Sequence, residues 1–177
     1  LFPRAHAVAY VMMAFRIAWF KVYHPLAFYA AYFSIRAKAF DLRIMTGDLK
    51  TQLTEFNRIK ALDRAASPKD KDLMSALEVS MEMYQRGYRF INVDIQHSEA
   101  RRFSIKDGAL LPPFLAIDSL GETVADAIVE ERNERPFTSL KDLQRRCKVS
   151  NTIIDLMKDL KCCGELPEDE QMSLFGA

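Results

Sequence analysis

Arg4, His6 and Tyr10 put a guanidinium, an imidazole and a phenol within two helical turns of one another. His6 and Tyr10 stand four apart and would share one face of a helix. Such a trio suits a nucleoside triphosphate: the cation and the imidazole meet phosphate oxygens, and the ring offers a flat face to a base or sugar. A His and a Tyr at this spacing also serve as plain core-edge residues, and the spacing alone does not choose. No catalytic constellation stands out. The acids at Glu130-Glu131 and Glu168–Glu170 read as solvated helix and linker positions rather than as paired ligands for two metal ions. Cys147, Cys162 and Cys163 form neither a disulfide framework nor a C-x-x-C zinc pattern, and read as reduced thiols.

A second group of candidates lies in "LAIDSLGETVADAIVEER". Ser119-Leu120-Gly121 has the layout of a helix-hairpin-helix motif, h-x-x-h-x-G-h-G-x-x-x-A. There a short hairpin presents backbone N–H groups at a helix N-terminus, and those groups with the helix dipole hold a DNA phosphate. Leu120 is the hydrophobic plug, Ala125 lets the helices pack, and Thr123 lies in the first turn. Ser119 replaces the first glycine, and its hydroxyl can itself donate to phosphate. An ordinary helical hairpin with Gly121 at a tight turn is the other reading. Lys148, Ser150 and Asn151 form a second hairpin without glycine, where capping of the last helix and a phosphate contact are both open. Contacts of this kind carry no base information.

The elements that must position these groups are mostly helical. Two helices occupy the first forty residues, the first mostly apolar from Ala5 to Val22 and so expected to be largely buried, with Pro3 in its first turn and Arg4 ahead of it. His24-Pro25 ends it, and a second helix runs from about Leu26 to Lys38. A polar helix covers residues 47–65. Ser67, Pro68 and Asp70 open a fourth, with Leu73, Leu77, Met81 and Tyr84 on one face and Gly87 at its end. "YRFINVDI" alternates like a strand, and "RRFSIKDGALLPPF" reads as a hairpin turning at Lys106-Asp107-Gly108. Helices then start near Glu122, after Thr138, and at about Thr152, so that the two helix-turn-helix units look like a degenerate repeat. The expected fold is mainly α with a small β hairpin: a helical segment followed by a tandem helix-hairpin-helix domain.

Net charge is only +1, but its distribution is uneven. Residues 1–40 hold Arg4, Arg16, Lys21, Arg36 and Lys38 and no acid. That bias suits an anionic partner, or else a buried helical pair with basic edges. The same charges interrupt the apolar run that a membrane span needs.

"FPRAHAVAYVMMAFR", "ASPKDKDLMSALEVSMEMYQRGYRF", "LLPPFLAIDSLGETVADAIVEER" and "QMSLF" together resemble the C-terminal part of PolC-type bacterial DNA polymerase III alpha subunits, from residue 1 to about 175. The resemblance implies three roles. Arg4, His6 and Tyr10 would belong to the fingers helix that meets the incoming dNTP, with Arg4 where the family usually has Lys. Ser119–Thr123 would belong to the tandem helix-hairpin-helix region that grips duplex primer–template DNA. Gln171, Leu174 and Phe175 match the Q-x-x-L-F motif that binds the bacterial sliding clamp (beta subunit). A peptide that inserts two apolar side chains in a clamp pocket would tether the polymerase by effective concentration.

The same resemblance implies residues 1–100 as the end of the fingers, 101–165 as the hairpin and DNA-gripping region, and 166–177 as a clamp-binding tail. The palm carboxylates and their Mg2+ would lie outside this chain, leaving it inactive alone. A cytoplasmic bacterial protein with replisome partners and no membrane is expected. The missing initiator Met points the same way. The alternative is a stand-alone helix-hairpin-helix adaptor that binds DNA and clamp without catalysis, and a third reading is a membrane-surface protein using the basic N-terminal helices.

Overall fold

The computed structural model describes residues 3–169. Eight helices and one β hairpin are assigned among them: α1 (Arg4–Tyr23), α2 (Pro25–Ala31), α3 (Leu42–Met45), α4 (Leu49–Leu62), α5 (Pro68–Gln85), β1 (Ser104–Lys106), β2 (Ala109–Leu111), α6 (Glu122–Glu134), α7 (Leu140–Cys147) and α8 (Asn151–Asp159). The mainly α expectation with a small sheet holds.

Local chemistry sets most boundaries. Proline at position 25 denies a backbone donor and disfavours helix at His24, so α1 stops at Tyr23 and α2 restarts on the proline. α2 runs into a π-helical turn, Tyr32–Arg36, closed by the Ala37 N–H donating to the Tyr32 carbonyl at 3.0 Å. Asp48 caps α4 by accepting from the Thr51 N–H at 2.7 Å, so this helix starts just after Gly47. Ser67 and Asp70 exchange both bonds of a capping box at the start of α5. Past its end Gly87 takes φ 87°, which lets the Tyr88 N–H reach back to the Met83 carbonyl at 3.1 Å. Leu73, Leu77 and Met83 of α5 are buried, while Met81 and Tyr84 are only half-buried.

β1 and β2 pair antiparallel, with Ile105 opposite Leu110, and turn through Asp107 (φ 51°) and Gly108 (φ 75°). The expected strand at "YRFINVDI" is reduced to one bridge, Phe90 to Leu110. The Ile91 N–H donates to the Leu110 carbonyl, and the Leu110 N–H to that of Arg89, both at 2.9 Å. β2 offers an edge only three residues long, and the chain then leaves it to hold the end of α8: the Ile95 N–H donates to the Cys162 carbonyl at 3.2 Å.

Two cores result. One gathers Tyr29, Phe33, Met45, Ile59, Leu77 and Phe90; the other gathers Ile95, Phe114, Ile117, Ile128, Leu143 and Met157. They are not cut at residue 100. Val93 and Ile95 lie in the second core, whereas Phe103 and Leu110 pack with the first. The chain therefore crosses from the first core at Phe90 to the second at Val93 and Ile95, returns to the first at Phe103 and Leu110, and rejoins the second at Phe114.

The largest departure from expectation is α1. None of its residues is buried, although Val8, Met12, Phe15, Trp19 and Phe20 are all large and apolar. Val8, Met12, Phe15 and Trp19 form one stripe, and Met13, Ile17 and Phe20 form another well round the helix, so no single neighbour can cover both. Within this segment α2 covers one side, leaving an apolar groove lined by Ile17, Phe20, Phe28, Tyr32 and Ile35. By length and composition alone α1 is apolar enough to cross a membrane. Its Lys21, however, is engaged by Glu82 of α5.

Candidate nucleic-acid interface

The two hairpins are built from the same three backbone stations. In the first, Ser119 takes φ 63°, Leu120 is buried as a plug, and Gly121 caps α6 with φ −76° and ψ 156°. In the second, Lys148 takes φ 54°, Val149 is buried, and Ser150 caps α8 with φ −72° and ψ 155°. A left-handed residue, a buried apolar plug and an extended cap thus recur before each helix. The plug is the fixed point: once Leu120 or Val149 is sunk in the core, the preceding residue has to reverse the chain. The first turn is closed by the Leu120 N–H donating to the Ile117 carbonyl at 3.2 Å.

This geometry changes the roles expected from the motif. Gly121 has an ordinary φ, and a Cβ built on it meets nothing within 4 Å. Glycine is not needed there for conformation; its benefit is an unobstructed approach to the start of α6. The left-handed position is that of Ser119, where an L residue is strained. α6 has no side-chain cap, so no neighbouring side chain covers its first-turn N–H groups in that way. α8 differs: Ser150 caps it, its Oγ accepting from the Ile153 N–H at 3.4 Å, and Asn151 Oδ1 accepts from Gln144 Nε2. The second hairpin therefore spends its small polar residues on its own fold, leaving Lys148 as its exposed cation.

Two features of this region have no motif to announce them. Arg101 lies across the first turns of α6, with Nε 3.1 Å from Asp126 Oδ1 and its Nη atoms on Glu122 and Asp126. It neutralises two acids that would otherwise stand beside the helix start. Asp142, whose side chain is fully buried, accepts from Arg145 at 2.9 Å and from Arg135 and Arg146 at 3.3 Å. Burial alone would raise its pKa, yet these bonds and the Thr138 N–H hold the carboxyl below the usual range. Arg146 also reaches Glu131 Oε2 at 2.8 Å and lies over the Phe137 ring, locking α6 to α7. Arg145 and Arg146 follow Asp142 at ordinary helical spacing, but neither its burial nor the reach of Arg146 to Glu131, fifteen residues back, has a local signature in the sequence.

The nucleotide-facing candidates are only partly brought together. The His6 and Tyr10 rings meet edge to face with centroids 4.5 Å apart. Arg4 is the first residue of α1 rather than a residue ahead of it, and Pro3 takes the cap position. At 100° per residue Arg4 leaves the helix about 160° from His6. All three are exposed. Gln171, Leu174 and Phe175 lie outside the described residues. Among the described residues no group of three or more His, Cys, Asp or Glu is placed to hold a metal ion. Cys147, Cys162 and Cys163 are free and buried.

A hairpin pair with these stations defines a helix-hairpin-helix protein, and the family model described as "Helix-hairpin-helix motif" matches residues 87–171. Over 99% of its length the chain is similar to "DNA polymerase III PolC-type" proteins. Identity is 47% over 175 residues in Caldanaerobacter subterraneus subsp. tengcongensis, 46% over 177 in Streptococcus suis and 45% over 178 in Streptococcus pyogenes. The chain belongs to the PolC-type DNA polymerase III family and corresponds to a fragment of it. It spans 12% of the length of each of these relatives.

Proposed function

We propose that this segment grips duplex DNA by its phosphates for a replicative DNA-directed DNA polymerase. The observation that carries the reading is the repeat of one backbone pattern at Ser119–Gly121 and Lys148–Ser150 in a chain similar to a polymerase. Two hairpins with the same stations suit two phosphate contacts on a duplex, and neither needs a base edge. Ser119, Gly121 and Thr123 form the first contact, held in place by the Leu120 plug, and Lys148 the second, with Ser150 and Asn151 supporting it. The experiment is a titration of duplex DNA by the chain at several salt concentrations. Affinity that falls with salt and ignores sequence is expected; no binding at low salt would remove the hairpins from the DNA site.

On the same reading α1 presents His6, Tyr10 and Arg4 to the incoming dNTP, and the parts of the polymerase outside this segment cover its apolar sides. The 12% share of the relatives' length supports this, because a helix apolar all round needs more neighbours than α2. The palm and its Mg2+ ligands lie in those other parts, so the segment alone is without polymerase activity. Gln171, Leu174 and Phe175 bind the sliding clamp and hold the enzyme in the cytoplasmic replisome. Loss of clamp binding when the last seven residues are removed is the expected result; equal binding by both forms would overturn that assignment.

A further inference from the structure

Glu82 of α5 gathers three donors from three places. Lys21 Nζ of α1 lies 2.8 Å from its Oε2, and the Tyr29 hydroxyl of α2 donates to the same oxygen at 3.0 Å. Arg86 Nε, at the end of α5, lies 2.7 Å from Oε1, and Arg86 Nη1 donates at 3.3 Å to the backbone carbonyl of Lys21. The Lys21 ammonium also sits over the Phe28 ring, 5.2 Å from its centroid. One carboxylate therefore joins the last turn of α1, the middle of α2 and the end of α5. Tyr29 is fully buried, so the Oε2 side of the cluster is fixed to the first core.

α1 has no buried residue along its length. Within this segment such a helix is a lever, and its direction relative to α5 is set where it is held. From Lys21 to Arg4 the lever is about 25 Å long. A tilt of a few degrees at the held end moves the far end by about 1–2 Å, enough to matter at a reacting centre. We infer that Glu82 is a positioning residue that sets the direction of α1 and so the place of His6, Tyr10 and Arg4. The inference rests on the reading of α1 as the nucleotide-facing helix. Glu82 touches no substrate; it acts through Lys21, Arg86 and Tyr29.

The test uses the full polymerase chain with spectroscopic distance labels at Met13 of α1 and Lys71 of α5, both exposed in this segment. Glu82→Gln keeps the shape and removes the charge. Lys21→Met breaks the α1 side alone and leaves the Tyr29 bond, so it keeps the test decisive should Glu82→Gln not fold. Both variants should broaden the distance distribution and raise KM for the incoming nucleotide on the order of tenfold, with a smaller change in kcat. Glu82→Asp, with its shorter arm, should recover part of the loss. An unchanged distance distribution in both variants would overturn the anchor. A broadened distribution with unchanged KM would uphold the anchor and overturn the nucleotide role of His6, Tyr10 and Arg4.

Discussion

Ser119 and Lys148 hold the same left-handed backbone, φ 63° and 54°, one residue before the buried plug of each hairpin. The two residues share no chemistry. What they share is a place where the chain must reverse so that Leu120 or Val149 can reach the core.

That relationship separates conformation from approach in the first hairpin. Ser119→Val should cost about 1–2 kcal/mol of stability, because a β-branched residue resists positive φ. Gly121→Val should cost less, about 0.5–1 kcal/mol, since its φ is ordinary and the space around it is open but Val is a poor N-cap. The same Gly121→Val change should weaken duplex binding several-fold by crowding the start of α6. Denaturant unfolding beside duplex titration at fixed salt checks both, and a larger stability loss at Gly121 than at Ser119 would refute the assignment of stations.

Lys148 carries both a strained backbone and the second hairpin's charge. Lys148→Gly should leave stability unchanged or raise it by up to about 1 kcal/mol, as relief of the left-handed backbone offsets glycine's extra freedom when unfolded. It should also lower the slope of log affinity against log salt by about one, the signature of one fewer phosphate neutralised. An unchanged slope would take Lys148 out of the DNA site.

Asp142 holds α7 to the end of α6 through Arg146, whose side chain is nearly as buried as its own. Asp142→Ala should destabilise by about 1–3 kcal/mol, because the Thr138 N–H and the arginines lose a buried acceptor while Arg146 keeps Glu131. Since the folded carboxyl titrates below the ordinary aspartate value of 3.8, the ionised form is the stabilising one. Its contribution is present above about pH 4 and is lost as pH falls through the folded pKa. Acid unfolding curves of the two proteins should therefore converge at low pH.

The thiols give a prediction at the other end of the pH scale. Burial pushes Cys147 and Cys162 from the ordinary thiol value of 9.0 up to about 12. Above pH 9 the unfolded chain loses these protons and the folded chain keeps them. Stability is then complete below about pH 9 and declines as pH rises toward about 12, with a slope of up to about 1.4 kcal/mol per pH unit for each thiol. Folded protein should react slowly with a thiol reagent at about pH 8 and release its thiols on unfolding. Fast labelling of Cys147 or Cys162 in folded protein would contradict their burial.

Much of the fold could be read locally. Pro25, the Ser67–Asp70 capping box, Gly87 and the Asp107-Gly108 turn act on their immediate neighbours, and the structure places helix ends and hairpin where those residues put them. The first hairpin was legible for the same reason, because its plug and cap are adjacent in sequence. The second hairpin was harder to see: its left-handed residue is a lysine, and no glycine marks the turn.

The sequence by itself determined the local breaks and caps, the first hairpin's plug, the charge bias of the first forty residues and the resemblance to a polymerase. Each of these depends on neighbours along the chain. Tertiary structure decided what depends on distant partners. It left α1 uncovered, split the core in two, buried Asp142, brought Arg146 to Glu131 and gathered Lys21 and Tyr29 on Glu82. The physical reason is range: capping and turn preferences act over a few residues, whereas burial and ion pairing are settled only when remote segments meet.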